Sequence, residues 1–450
     1  MKRKKFCFFA YNPPTTGIFT VNGYAYKGDE DFRSVKRCKE YKACGFDLMQ
    51  LRYESAYNGE PFEQSNTCYL WERAYLAGIR KFLVTDLRIE KLIRPKRGEV
   101  SDVCDKYTDE ELDELLKSYL APYKDKAGFY GIQLLDEPAF EDLPAYGAVA
   151  KSLRRILPNA YLQMNLHPLG TVKIEGTKDA REAYEIYADK ALEYTSLNNI
   201  CFDEYPFRRE YIISGNTIRN YQVMARVCKK RGVEMQSVLQ SFANASQGKY
   251  LKRRILERDM YWQTNLAMGF GVREYSFYTY MPKPNISYEK GSGDGVDGAC
   301  FINNDGSRTA LYTYTKRIIL EMQKFSKIAL RYGYENNYIV TENGKDLKDF
   351  EQTFYAEDNG ESPFPINVSS GIALVTEQKN GEDTLYMIEN IGNIKHELFE
   401  SAPPMRVECT FPKGKRRFYY RGKRFRPKKQ GESFVLDLRV GEAVFVEIKK

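Results

Sequence analysis

The chain of 450 residues is short of several things. It has two histidines, His167 and His396, and two tryptophans, Trp71 and Trp262. The histidines fall in different halves of the sequence, which excludes a histidine-rich zinc or iron centre. An all-oxygen Mg²⁺ or Ca²⁺ site stays open. Nine cysteines are scattered without a CxxC pair, so neither a disulfide framework nor a zinc ribbon is indicated. Reduced thiols fit a bacterial-type cytoplasm. No apolar run approaches the ~20 residues of a membrane span. The start, "MKRKKFCFFAYNPP", imitates a signal peptide, but its apolar stretch is shorter than the ~7–15 residues of an h-region and reads as a first β-strand. No glycine-rich phosphate loop follows that strand.

What is present is globular. Hydrophobic residues make up 42% and charged residues 29%, too balanced for a disordered chain. Tyr (35) and Phe (26) supply most of the aromatics, which suit sugar binding and plain cores equally. The net charge is +8, and the basic run 413–429 reads as a solvated face, so no nucleic-acid or membrane partner is expected.

Eight short apolar runs alternate with helical patterns through the first three hundred residues: 5–11, 46–53, 81–87, 128–135, 160–166, 198–205, 233–242 and 272–280. Thr108 and Glu111 are spaced as a capping box, and two other helical stretches end in Gly. Near-continuous apolar strands separated by helices predict a parallel sheet covered by helices. The count of eight favours a (β/α)8 TIM barrel over an open doubly wound sheet. After residue 333 short alternating strands bounded by turns predict an antiparallel β-sandwich. The expected domains are thus 1–333, a catalytic barrel, and 334–450, a sandwich.

Catalytic groups of such barrels sit at the C-terminal ends of the strands. Those ends offer Glu54, Asp86, Asp136, Glu137, Asn165, His167, Asp203, Glu204, Tyr205, Gln240, Tyr278 and Tyr280. They lack a Ser or Cys nucleophile beside a His. The stretch "GIQLLDEP" (131–138) runs four apolar-rich residues straight into Asp136 and Glu137, two carboxylates that must repel each other. A helix N-terminus would also attract acids there, but the following helix starts near Pro144. Paired carboxylates with amides and phenols are the constellation of glycosidic bond cleavage, where one carboxylic acid protonates the leaving oxygen. Glu137 is the acid candidate, since a neighbouring carboxylate favours its protonated form. Asp203 is the next carboxylate, although a turn-capping role is open to it. Tyr278 and Tyr280 read as sugar platforms or ordinary strand aromatics, and Trp71 and Trp262 as helix-to-barrel packing.

"GIQLLDEP", "ICFDEYPF" (200–207), a strand seven ending in Gln240, "GFGVREYSFYTY" (269–280) and "FINNDGSRTALYTYTKRI" (301–318) together resemble bacterial glycoside hydrolases of the clan A type, some of them family 42 β-galactosidases. The resemblance runs over most of the chain and implies a barrel followed by a β-sandwich. It departs at two points. The clan places Asn-Glu where this chain has Asp136-Glu137, and a nucleophilic Glu where it has Gln240. The Asp-Glu dyad is similar to that of the N-acetylhexosaminidases of families 20 and 123. That similarity implies attack by the substrate's own 2-acetamido oxygen, with Asp136 orienting the amide, Glu137 as acid/base and Tyr205 near the acetamido oxygen. Alternatively Glu137 works with Asp203 across the mouth.

The expectation is a cytoplasmic, cofactor-free glycosidase acting on oligosaccharides. Its catalytic residues would be Glu137, Asp136 and Asp203, and Tyr205, Glu54, Asp86, Asn165, Gln240, Tyr278 and Tyr280 would bind substrate. The rivals are a metal-assisted lyase or isomerase on the same barrel, and a carbohydrate-binding protein that has lost catalysis.

Overall fold

In the computed structural model the described residues are 5–14, 18–21, 24–27, 32–54, 56, 59–96, 98–208, 214–243, 252–281, 300–303, 306–350, 356–357, 360–392 and 403–450. His396 and most of the loop 281–309 lie outside them.

Eight parallel strands make the first sheet: β1 (Cys7–Ala10), β2 (Met49–Tyr53), β3 (Phe82–Asp86), β4 (Phe129–Asp136), β5 (Tyr161–Leu166), β6 (Asn199–Glu204), β7 (Glu234–Gln240) and β8 (Glu274–Tyr278). From β2 onward each pairs with the next, and β8 pairs with β1. The ring is nearly closed between β1 and β2, where the Asp47 amide donates to the Phe8 carbonyl at 2.9 Å. This is the (β/α)8 barrel that the eight apolar runs predict.

The helices between strands are α1 (Val35–Ala43), α2 (Asn66–Leu76), α3 (Leu87–Ile93), α4 (Val103–Lys106), α5 (Asp109–Leu120), α6 (Leu143–Ile156), α7 (Ala180–Thr195), α8 (Thr217–Arg231), α9 (Glu257–Gly269) and α10 (Ala310–Ala329). Local chemistry sets their starts. Ser34, Ser65 and Asp179 accept a backbone amide of the first turn. Thr108 and Glu111 form the reciprocal capping box of α5. Among the described residues no helix is long and apolar enough to cross a membrane.

The lumen is polar as well as packed. Gln50 donates to Thr85 (2.6 Å), Thr85 to Gln133 (2.9 Å), and Gln133 to the Tyr11 hydroxyl (3.3 Å). Lower down, Tyr161 donates to the buried Glu274 at 2.7 Å. Strands that look apolar therefore hide an inward row of carboxamides that hydrogen-bond from strand to strand. Trp71 stacks on Phe82 with ring centres 4.5 Å apart, and Trp262 packs edge-on to Phe207, the helix-to-barrel roles expected of both.

The C-terminal strands form two antiparallel sheets. A six-stranded one runs in the order Gly333–Thr341, Ile372–Asn380, Asp383–Asn390, Ala443–Lys449, Lys415–Tyr420, Lys423–Phe425. A four-stranded one runs Ile366–Val368, Met405–Cys409, Ser433–Leu438, Lys428–Gln430. The first sheet rests on the barrel's helices. Gln378 donates to the last carbonyls of α9, those of Met268 and Gly269, at 2.9 Å each. The fully buried Glu447 accepts Arg331 at 2.7 Å and Tyr332 at 2.9 Å, just beyond α10.

At Gly131, where β4 pairs with β5, an added Cβ would lie 1.8 Å from the Tyr161 carbonyl oxygen. Gly131→Ala should therefore push the two strands apart and cost about 1–3 kcal/mol or more. A drop in the urea midpoint of the purified protein measures it; an unchanged midpoint would contradict this packing.

Candidate active site

The C-terminal mouth of the barrel is built from the ends of β4, β5 and β6. Asp136 is the last residue of β4, in register with Asn165 of β5. Asn165 donates its amide to Asp136 Oδ1 at 2.9 Å. The next residue, Glu137, turns into the left-handed region at φ 46°, a conformation a side-chain-bearing residue adopts at some energetic cost. Its own amide still bonds to the Asn165 carbonyl at 3.0 Å. The turn is held from outside. Arg94, just past α3, donates to the Glu137 carbonyl at 2.8 Å and to Asp142. Tyr187 of α7 donates to the Pro138 carbonyl. A strained residue persists where its surroundings over-determine it, and here backbone, guanidinium and phenol all do so.

Two strands on from the dyad stands Asp203 of β6, 6% exposed, with Oδ1 lacking a hydrogen-bond partner among the described residues. Its carboxyl is pushed well above the usual range, first by burial, then by the charges of Glu137 and Asp136; the Tyr205 hydroxyl, within hydrogen-bonding reach, opposes this. The Asp136 carboxyl is raised too, by burial and by Glu137, against the Asn165 hydrogen bond and the positive charge of Arg52. Three carboxyl groups from two strands thus sense one another across the mouth. His167 Nδ1 lies 3.3 Å from Glu137 Oε1, so the β5 end supplies the dyad with a ring nitrogen as well as an amide. Tyr11, beneath the cluster, is held in its neutral form by burial and the surrounding carboxyls.

An aromatic wall closes the β6–β8 side. Tyr205, Phe242 and Tyr278 meet with ring centres 5.1–5.8 Å apart, and Tyr11 is 6.4 Å from Tyr278.

Of the residues named from the sequence, Asp136, Glu137, Asn165, Asp203, Tyr205 and Tyr278 are brought together. Glu54 stands at the rim, exposed and paired with Arg52 at 2.8 Å. Three others have their polar atoms engaged or enclosed away from the mouth, a correction to their placement. Asp86 is fully buried, caps α3 and accepts Arg88 at 2.7 Å and Tyr123 at 2.9 Å. Gln240 is fully buried, taking the Phe207 amide at 2.9 Å and donating to the Phe207 and Phe242 carbonyls. Its carboxamide braces the loops after β6 and β7. Tyr280 lies beyond the end of β8, buried against Tyr41, Phe46 and Phe301. Glu204 points outward to Thr217 and Asn220 of α8.

Sequence reading missed Arg52, Arg94, Tyr11 and Tyr187. Arg52 had a signal, a charged residue inside a strand two positions before Glu54. Arg94 and Tyr187 had none, because they reach the site from helical segments remote in sequence. Among the described residues no three His, Cys, Asp or Glu side chains are grouped to hold a metal ion.

No sequence-family profile and no curated protein matches the chain. Solved structures do match in fold. An Anoxybacillus α-amylase, described as representing a new glycosyl hydrolase subclass, superimposes with a TM-score of 0.51 at 12% identity, covering 100% of this chain and 99% of that one. A structure titled only as a glycoside hydrolase gives a TM-score of 0.50 at 11% identity, covering 93% of this chain and 89% of the other. At these identities the likeness is one of architecture: a barrel followed by β-sheets, of the kind found among glycoside hydrolases.

Both raised carboxyls are higher in the fold than in the unfolded chain. Their contribution to stability is complete below the ordinary carboxylate range and is lost as pH rises through the native values. Asp136 is open to solvent on the mouth side, which screens its share, so Asp203 dominates. Asp203→Asn should melt higher than the parent at pH 8 and within error of it at about pH 3, below the ordinary Asp range. Thermal melts at both pH values check it; equal melting at pH 8 would mean that Asp203 carries no such penalty.

Proposed function

We propose that the chain is a glycoside hydrolase acting on oligosaccharides, with residues 1–333 as its catalytic domain and 334–450 as a sandwich domain packed beside it. The observation that carries this reading is the placing of Asp136, Glu137 and the buried Asp203 at the ends of β4 and β6, on one barrel mouth. Burial and the charges of Glu137 and Asp136 hold the Asp203 carboxyl well above the ordinary carboxylate range. With the proton on Glu137, the site presents an acid to the glycosidic oxygen and a carboxylate, steadied by Tyr205, to the oxocarbenium-like centre. Asp203 then acts as nucleophile or as base toward water according to its separation from Glu137. The aromatic wall of Tyr205, Phe242 and Tyr278 offers a sugar ring an apolar face.

One feature favours a substrate-assisted form. Asn165 takes Asp136 Oδ1, which leaves the second oxygen for an N–H from a 2-acetamido group. In that form Asp136 orients the amide, Glu137 remains the acid/base, and no protein nucleophile is needed.

The test is turnover of aryl glycosides, matched with and without a 2-acetamido group, each with and without EDTA. Glu137→Gln should lower kcat by about 10²–10⁴-fold. Turnover confined to acetamido sugars selects the substrate-assisted form. A folded protein that binds sugars without turning over any of them would sink the enzymatic reading, and loss of activity in EDTA would favour a metal-assisted lyase or isomerase.

A further inference from the structure

Residues 413–429 hold ten Lys and Arg and no Asp or Glu, more positive charge than the whole chain carries net. The fold gathers this run at one place. Lys423–Phe425 is an outer strand of the six-stranded sheet, and Lys428–Gln430, two residues on, is an outer strand of the four-stranded sheet. The chain crosses from one sheet to the other at Arg426-Pro427, so both open edges lie on one stretch. Three of the arginines serve the fold: Arg416 donates to the Phe411 and Pro412 carbonyls, Arg417 pairs with Glu447, and Arg421 pairs with Glu442. Lys415, Lys423, Arg424, Arg426, Lys428 and Lys429 do not. All six are exposed, and none has an acidic partner among the described residues.

Lysines on an edge strand commonly serve to block strand-to-strand aggregation. The opposite edges, Gly333–Thr341 and Ile366–Val368, contain no Lys or Arg at all. The charge is therefore local to one side of the sandwich. Half-buried Tyr420 and Phe425 lie in the same strip, with ring centres 6.3 Å apart.

We propose that this double edge is a docking surface for an anionic polysaccharide, separate from the barrel mouth. The choice of a polysaccharide among polyanions rests on the glycosidase reading. The mouth itself is lined by Asp136, Glu137 and Asp203 and repels an anionic unit, so the sandwich edge holds the charged units of a polymer while the mouth takes a neutral one. Exposed cations bind the carboxylate groups, and the two rings give the sugar faces an apolar strip.

The experiment is equilibrium binding of the full chain to hyaluronan, whose units alternate between a carboxylate sugar and a neutral 2-acetamido sugar. A single-stranded DNA of equal charge and anionic phospholipid vesicles are compared at physiological salt. The expected result is hyaluronan binding that a Lys423→Gln, Arg424→Gln, Lys428→Gln, Lys429→Gln variant weakens by about tenfold or more, with an unchanged melting temperature. Unaltered binding by the variant, or DNA or vesicles bound as tightly as hyaluronan, would overturn the proposal. Because binding is read without turnover, failure of the glycosidase reading and failure of this one are separately visible: the first abolishes aryl glycoside hydrolysis, the second abolishes the variant's effect on hyaluronan.

Discussion

Three carboxyl groups facing one another across a barrel mouth must be kept from pushing the mouth apart, and much of the surrounding structure serves that end. Asn165 holds Asp136 through a side-chain amide, and the Asn165 carbonyl takes the Glu137 amide. Arg94 and Tyr187 pin the two carbonyls that follow. The Tyr205 hydroxyl and the Arg52 guanidinium favour the ionised forms of Asp203 and Asp136, against burial and mutual repulsion. The net result is that the Asp136 and Asp203 carboxyls are both held above the ordinary carboxylate range.

The barrel below supplies the rigidity. Its lumen is cross-linked by carboxamide and hydroxyl bonds running from Gln50 through Thr85 and Gln133 to Tyr11, directly under the carboxyl cluster. The C-terminal six-stranded sheet stiffens the far side, where Gln378 closes the end of α9 and Glu447 ties the chain beyond α10. Gln240 belongs to the same scaffold. At the end of β7 its neutral carboxamide fastens two loops to each other.

Much of the fold was legible in the sequence because it is written in local periodicity. Eight apolar runs, the Thr108–Glu111 box and the change of texture after residue 333 are all short-range signals, and the strands, the helix start and the antiparallel sheets follow from them. The dyad was legible for the same reason, since two acids at the end of an apolar strand are conspicuous in one dimension. Gln240, Asp86 and Tyr280 were legible only as polar residues near strand ends. Their distance from the mouth depends on which backbone groups and side chains they meet after folding.

The sequence by itself determined the order of strands and helices and the placing of Asp136, Glu137 and Asp203 at strand ends, because hydrophobic periodicity and capping act over a few residues. Tertiary structure alone decided that Asp203 shares its charge environment with the dyad, that Arg94 and Tyr187 hold the turn from segments about forty to fifty residues away in sequence, and that two successive basic strands become outer strands of different sheets. Those are matters of distance in space, and electrostatic coupling depends on distance and burial, neither of which a linear spacing encodes.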